Sequence, residues 1–223
     1  MSQRTTGLRR VLSSAAVYQG LQDLLGGRRF QHRLVAEFVR PPAGARLLDI
    51  GCGTAALLEH VPASVAYHGF DLSARYVAAA RRRWGTRGQF WQASVADAPR
   101  LTGGQFERAT AIGVLHHLDD AEAVGLARLA AAALTDDGAL VTYDPAVTAA
   151  TSRAARFLID RDRGQNVRAP AGYAAIVGQA FADVEVIAVA KHLRIPYTGC
   201  VLIARRPRRE PPPRDDHTPS QPA

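Results

Sequence analysis

The chain has 223 residues, of which 47% are hydrophobic and 22% are charged. These values are typical of one folded globular domain with a sizeable core. No run of about 18 apolar residues occurs, so we expect no membrane-spanning helix, and the short, broken apolar stretch near the start does not indicate a signal peptide. Two cysteines, Cys52 and Cys200, are too few for a disulfide framework, which favours a cytoplasmic protein.

The formal net charge of +8 could suggest a nucleic-acid partner. Of the 28 basic residues, however, Lys191 is the only lysine, which indicates a general bias toward arginine. Clusters such as "ARRRWGTR" at 80–87 fall at the end of a predicted helix, where positive charge is stabilised by the helix dipole. We therefore interpret the charge as a solvated basic surface and do not expect nucleic acid as a partner.

Hydrophobic periodicity predicts the elements in chain order. Apolar stripes over residues 8–40 predict two helices broken at "LGGRR", and "RPPAG" at 40–44 predicts a turn. Strands are predicted at 46–50, 66–71, 89–93, 108–112, 139–144, 184–189 and 199–205. Helices are predicted at 54–61, at 73–83 with Ser73 as N-cap, at 120–134, and in a helical region that extends to about 181.

This alternation predicts an α/β fold, a doubly wound, mostly parallel, seven-stranded Rossmann-like sheet. The last two strands are joined by a short loop, so we expect a C-terminal antiparallel hairpin. The predicted organisation is an N-terminal helical lid over 1–44, a domain over 45–205 with an insertion around 145–181, and a disordered tail over 206–223.

The stretch "RLLDIGCGTAA" at 46–56 predicts a ligand site at the end of the first strand. Gly51 and Gly53 allow a sharp turn and a close approach of backbone to ligand. A dinucleotide and S-adenosylmethionine both suit such a loop. Asp49 would repel a pyrophosphate but suits an ammonium group. Asp71, which ends the second strand, could accept hydrogen bonds from a ribose diol of either ligand.

Three segments, "LLDIGCGTA", "YHGFDLS" and "AIGVLHHLDD", occur in an order and spacing that resemble the class I S-adenosylmethionine-dependent methyltransferases over about residues 45–145. The resemblance implies S-adenosyl-L-methionine as cofactor, methyltransferase activity, and a seven-stranded sheet that ends in the predicted hairpin.

The resemblance also implies roles for single residues. Asp49, Gly51, Cys52 and Gly53 would form the cofactor loop. Asp71 would bind the ribose and Leu72 would lie beside the adenine, while Gly113 and Val114 would lie under the methionine end. Ser94 stands where relatives often carry an acidic residue, so we expect Ser94 and Val95 to meet the adenine, with Asp97 as the alternative. Tyr18 of the lid would reach the cofactor.

The chemistry needs a general base only if the acceptor arrives protonated. The loop after the fourth strand faces the methyl group in the family that the chain resembles, so His117, followed by His116, is the candidate base; a structural role for each is the alternative. No metal site is expected, because the histidines lack ligand spacing and Gly113 stands where metal-dependent relatives need a carboxylate.

The sequence therefore predicts a methyltransferase that acts on a small molecule, for example in bacterial secondary metabolism. An RNA or protein methyltransferase and a cofactor-binding protein without methyl transfer are the alternatives. We expect no membrane partner, and a homodimer is compatible with this interpretation.

Overall fold

The computed structural model describes residues 27–148, 151, 166–190 and 198–209. One seven-stranded sheet organises this part of the chain, with the strand order β3-β2-β1-β4-β5-β7-β6. The strands are β1 (Arg46–Ile50), β2 (Ala66–Asp71), β3 (Gly88–Gln92), β4 (Phe106–Ile112), β5 (Leu134–Pro145), β6 (Phe181–Ala190) and β7 (Thr198–Pro207). Strand β7 runs antiparallel to both β5 and β6, whereas the other pairs are parallel. The predicted fold class, with its antiparallel C-terminal strands, is confirmed.

Five α-helices lie among the described residues. They are α1 (Gly27–Arg33), α2 (Ala74–Trp84), α3 (Ala98–Thr102), α4 (Asp120–Ala133) and α5 (Pro170–Val177). A π-helical turn, Leu34–Val39, continues α1. Short 3₁₀ turns span Ala56–His60, Gly85–Arg87, Val95–Asp97 and Leu115–His117.

Local chemistry sets where the longer helices begin. The hydroxyl of Ser73 accepts a hydrogen bond from the Tyr76 amide and caps α2, as predicted. Asp119 and Glu122 form a reciprocal capping box at the start of α4. Each arrangement satisfies backbone amides that the first helical turn leaves without a partner.

The predicted helix over 54–61 is wrong in type and length. The chain forms only the 3₁₀ turn Ala56–His60, because Ala55 adopts a left-handed conformation (φ 55°) and Val61 is extended before Pro62. A residue that precedes proline is disfavoured in helical geometry, so the turn cannot continue. The short helix α3 was not predicted; the sequence indicated a loop through Pro99, whereas Pro99 lies in the first turn of this helix.

The sheet buries apolar side chains on both faces. On one face, here called the α1 face, helices α1 and α2 cover residues such as Leu47, Tyr67 and Val141. On the other, the α4 face, helices α4 and α5 cover residues such as Leu48 and Leu140. Because successive side chains of a strand point to opposite faces of the sheet, the position of a polar residue in its strand decides on which face its side chain lies.

Several of the predicted segments lie partly outside the described residues. Of the lid over 1–44, residues 1–26 lie outside the described residues, and α1 packs on the sheet through Phe30, whose ring centroid lies 4.5 Å from that of Tyr143. Strand β7 continues to Pro207, and Arg209 binds α4 and β5, so the domain extends past the predicted boundary at residue 206. The rest of the predicted tail, 210–223, and part of the insertion, 149–150 and 152–165, are also outside the described residues.

Candidate functional site

The candidate site lies at the carboxyl ends of β1, β2, β4 and β5. Three glycines there adopt positive φ angles: Gly51 (69°), Gly53 (56°) and Gly113 (69°). The amides of Gly51 and Cys52 both donate to the carbonyl of Phe70, at 2.8 and 3.0 Å, so the loop after β1 is fixed to the end of β2. Because L-residues resist this backbone conformation, the glycines permit the turn.

Gly51 and Gly53 differ in their surroundings. A Cβ atom at Gly51 would lie 2.8 Å from Cγ2 of Val114, so this position packs tightly against the loop after β4. A Cβ at Gly53 would meet no atom within 4 Å. The first glycine thus lets two loops pack together, while the second leaves space beside the backbone for a ligand.

Asp71 connects the two predicted cofactor-binding elements. Its Oδ2 accepts from the Gly53 amide at 2.9 Å, and its Oδ1 accepts from the Ser73 amide at 2.7 Å. The next residue, Leu72, keeps 77% of its surface exposed. A carboxylate beside an exposed leucine is suited to a nucleoside, whose ribose donates hydrogen bonds and whose base is apolar on its faces.

Asp49 lies on the α1 face and is only 3% exposed. Its Oδ1 accepts from the hydroxyl of Thr110 at 2.7 Å, and its Oδ2 accepts from the hydroxyl of Tyr67. Burial raises the pKa of Asp49 to about 6, and the two hydroxyl donors partly offset that effect. A bound cation would favour the ionised form of this carboxylate.

Cys52 is buried, and burial raises the pKa of its thiol. Its amide is engaged by Phe70, and its Sγ packs over Gly69, where a Cβ would lie 2.8 Å away. A buried thiol with a raised pKa is inert as a nucleophile.

The segment after β3 places Ser94 and Val95 differently. Ser94 is exposed and caps a 3₁₀ turn by accepting from the Ala96 amide at 3.3 Å, whereas Val95 is buried. Asp97 forms an ion pair with Arg100 at 3.2 Å on the surface. The expectation that Ser94 and Val95 meet the adenine therefore remains a prediction, with Asp97 as the alternative.

His116 forms a buried pair with Asp144, the penultimate residue of β5. The Nδ1 atom of His116 lies 2.8 Å from Oδ1 of Asp144, which also accepts from the His116 amide at 3.1 Å. Asp144 is 1% exposed, and its buried Oδ2 has no hydrogen-bond partner in the described part of the chain. Burial raises the pKa of Asp144, and the imidazole opposes that shift.

The imidazole of His116 lies next to the cofactor-binding segment predicted at Gly113. A Cβ at Gly113 would come within 3.7 Å of Cε1 of His116. His117 is exposed, and its ring centroid lies 4.0 Å from that of His116. Tyr18, the remaining predicted site residue, lies outside the described residues.

The sequence did not predict the hydrogen-bond partners of Asp49 and His116. Neither the hydroxyls of Tyr67 and Thr110 on Asp49 nor the pairing of Asp144 with His116 was predicted. The available signal was the end of the fifth predicted strand, "ALVTYD", where a carboxylate follows a run of buried positions. Within the described ranges, no three His, Cys, Asp or Glu side chains converge as a metal site, and no described helix is long and apolar enough to span a bilayer.

Comparisons with known proteins agree with this geometry. Residues 48–140 match the family model described as a methyltransferase domain. Over 93 residues, 38% of this chain, the sequence is 39% identical to an uncharacterised protein of Synechococcus sp., of which the match covers 22%.

Two solved structures show the same fold. An O-methyltransferase family protein from Burkholderia thailandensis superposes with a TM-score of 0.65 and 19% identity, over 91% of this chain and 63% of that one. The N-methyltransferase NodS from Bradyrhizobium japonicum, in complex with S-adenosyl-L-homocysteine, gives a TM-score of 0.66 and 18% identity, over 90% of this chain and 97% of that one.

The fold and the glycine loop define an α/β domain that is suited to a nucleoside cofactor. Residues 48–140 are thus similar to a methyltransferase domain, and the fold is shared with solved methyltransferases, of which NodS is in complex with S-adenosyl-L-homocysteine.

Proposed function

We propose that the chain transfers the methyl group of S-adenosylmethionine to a small-molecule acceptor, such as a secondary metabolite. The observation that carries this proposal is the convergence of three segments at one edge of the sheet. Gly51 packs on Val114, Gly53 donates to Asp71, and His116 lies beside Gly113. The segments predicted to hold the two ends of the cofactor are thereby joined by direct contacts.

Each end of the cofactor has suitable partners. Asp71 would accept from the ribose hydroxyls, and the exposed Leu72 would cover one face of the adenine. Asp49 would compensate the ammonium of the methionine moiety, directly or through water. The bound sulfonium supplies an already activated methyl group, so this chain's own residues need mainly to position the acceptor and exclude water.

An acceptor hydroxyl or ammonium must lose a proton as it is methylated. The geometry favours His116 over His117 as the group that takes this proton. Asp144 holds Nδ1 of His116, which fixes the ring orientation and leaves Nε2 as the nitrogen able to meet an acceptor. A buried carboxylate next to the ring also stabilises the imidazolium that forms.

A small acceptor is favoured over RNA because much of the main arginine cluster is engaged within the domain. Arg81 donates to the Phe90 carbonyl at 2.6 Å, Arg83 pairs with Glu59 at 3.0 Å, and Arg87 donates to the carbonyls of residues 61, 62 and 65. Guanidinium groups that already form hydrogen bonds or ion pairs within the domain are poorly placed to bind the phosphate groups of RNA.

Two measurements test the proposal. Calorimetry should show S-adenosylmethionine and S-adenosylhomocysteine binding in the micromolar range, about −8 kcal/mol, while NAD gives no heat. The methyl-labelled cofactor, incubated with a metabolite extract and the protein, should yield a labelled small molecule. Binding without label transfer would favour a cofactor-binding protein, and label in RNA or protein would favour a macromolecular acceptor.

A further inference from the structure

Arg168, in the segment before α5, makes an unusually complete set of contacts. Its Nη1 donates to the Leu115 carbonyl at 3.0 Å, and its Nη2 donates to the Leu118 carbonyl at 2.8 Å. Its Nε and Nη2 also reach Oδ1 of Asp120, at 2.9 and 2.7 Å. The side chain is 12% exposed and lies over the ring of Tyr173. One guanidinium thus binds two carbonyls of the loop between β4 and α4 and the first residue of α4.

These contacts bracket the two histidines. Leu115 and Leu118 directly precede and follow His116–His117, and the amide of Asn166 donates to the His116 carbonyl at 3.1 Å. The Asp120 side chain is 83% exposed, so its ion pair contributes little in water. The bonds to the two carbonyls are therefore the ones that fix the histidine turn, and their spacing requires the planar fork of an arginine.

The same segment is bound to the end of β5. Arg168 pairs with Ala146 in a short parallel bridge, and its carbonyl accepts from the Val147 amide at 3.2 Å. Its own amide donates to the Tyr173 hydroxyl, which in turn donates to the Pro145 carbonyl at 3.0 Å. Arg168 therefore connects the loop that carries His116 with the strand end that carries Asp144.

We propose that Arg168 is a positioning residue that holds the His116 turn against Asp144, so that the imidazole is oriented before the acceptor binds. This inference rests on the proposed function, because it assigns Arg168 a part in the same proton transfer. Arg168 itself contacts neither cofactor nor acceptor in this scheme, and its effect is transmitted through the carbonyls of Leu115 and Leu118.

The chain offers a matched control at the other end of α4. Arg209 donates to the carbonyls of Ala131 and Leu134, at 2.7 and 2.8 Å, and pairs with the exposed Asp136. It therefore makes the same type of contact, two backbone carbonyls and one surface carboxylate, away from the histidines. Comparing Arg168→Lys with Arg209→Lys separates positioning from a general effect on stability.

The experiment uses the full chain and measures three quantities: the rate of methyl transfer to the acceptor found by the labelling experiment, the affinity for S-adenosylhomocysteine, and amide hydrogen exchange. In Arg168→Lys we expect a 10- to 100-fold fall in kcat with an unchanged Kd for S-adenosylhomocysteine. We also expect exchange at residues 116–118 to accelerate about tenfold, because the turn opens more often, and the NMR chemical shifts of the His116 ring to change. Arg209→Lys should leave kcat and the His116 ring shifts unchanged.

Equal exchange rates and equal His116 ring shifts in the two lysine variants would overturn the positioning role, as would equal losses of kcat. If the wild-type protein transfers no methyl group, the proposed function fails by itself, while the exchange and NMR comparison still reports whether Arg168 orders the turn. Should Arg168→Lys not fold, Arg168→Gln takes its place, because its shorter side chain carries a single donor nitrogen and cannot span both carbonyls. Unchanged exchange at residues 116–118 in that variant would also contradict the proposal.

Discussion

Asp49 and Asp144 are both buried at the carboxyl edge of the sheet, yet they lie on opposite faces and have different partners. On the α1 face, both oxygens of Asp49 accept from neutral hydroxyls. On the α4 face, Asp144 is paired with an imidazole and keeps one oxygen without a partner among the described residues. Neutral donors hold a carboxylate in place without compensating its charge, whereas an imidazole can take up a proton and compensate it.

This difference indicates two separate tasks. In the proposed function, Asp49 would compensate a cation that arrives with the cofactor, and Asp144 would orient and stabilise a base within the protein. If so, changes at Asp49 should alter binding, and changes at Asp144 should alter rate.

Asp144→Asn should have the largest effect. With an acceptor that carries a proton, we expect turnover to fall about 10²- to 10⁴-fold, because the amide neither stabilises an imidazolium nor enforces one ring tautomer. Cofactor affinity should stay unchanged, as measured by calorimetry. Asp137→Asn, an exposed carboxylate on the same strand, is the control and should keep wild-type turnover.

The alanine variants of the two histidines extend this test. His117→Ala should retain most of the rate and the acidic limb of the pH–rate profile, and His116→Ala should lose both. If His117→Ala loses the limb while His116→Ala retains it, the exposed histidine is the base, as the sequence first indicated.

Asp49→Asn should weaken S-adenosylmethionine binding about 10- to 100-fold, the effect of losing one hydrogen bond to a charged group. The wild-type affinity should also fall as pH drops below about 6, because the protonated Asp49 must release its proton before it compensates an ammonium. The variant should lack this pH dependence. A parallel decline in both proteins would place the ammonium elsewhere.

Gly51→Ala should reduce cofactor affinity about tenfold, since its Cβ would push Val114 and with it the loop shared by both halves of the site. Gly103→Ala is a matched control, because Gly103 has a nearly equal φ of 67° but open space around the added atom. Both substitutions incur about 1–2 kcal/mol of backbone strain, measurable by denaturant unfolding. Equal cofactor affinity in the two variants would show that packing at Gly51 does not matter for binding.

The smallest effect concerns the stability of the free protein between pH 4 and 6. Asp49 has a raised folded-state pKa of about 6, so above its ordinary value of 3.8 its contribution to stability falls as pH rises. His68, buried on the α4 face, has its pKa lowered from 6.5 to about 4, so its contribution rises over the same range. Each slope is at most about 1.4 kcal/mol per pH unit, and the two oppose each other.

Single substitutions should separate these slopes. Asp49→Asn should make the free energy of unfolding increase from pH 4 to 6, and His68→Gln should make it decrease, as measured by urea titrations at each pH. Identical pH profiles in both variants would mean that neither group titrates as its burial implies.

The sequence was sufficient to predict which residues lie at the strand ends of the site, but not which hydrogen bonds its buried carboxylates form. Gly51, Gly53 and Asp71 could be placed at one edge of the sheet, because the two glycines follow the end of β1, Asp71 ends β2, and the carboxyl ends of parallel strands meet there. The pairing of His116 with Asp144 could not be predicted, because it depends on the alignment of β4 with β5 and on the face of the sheet on which each side chain lies.

The hydroxyls that bind Asp49 were missed for the same reason, since Tyr67 and Thr110 come from the two strands that flank β1. The turn after Gly53 was predicted as a helix because periodicity alone does not report the left-handed Ala55.

Each face of the sheet has one buried cysteine, whose reaction with a thiol reagent can report local opening of that face. Cys52 packs in the core of the α1 face and Cys200 in that of the α4 face, and burial raises the pKa of both thiols, that of Cys200 to about 11. A thiol reagent can therefore modify either one only during transient local opening. Labelling kinetics followed by mass spectrometry would measure how often each half of the domain opens, and whether cofactor slows one half or both, without any engineered probe.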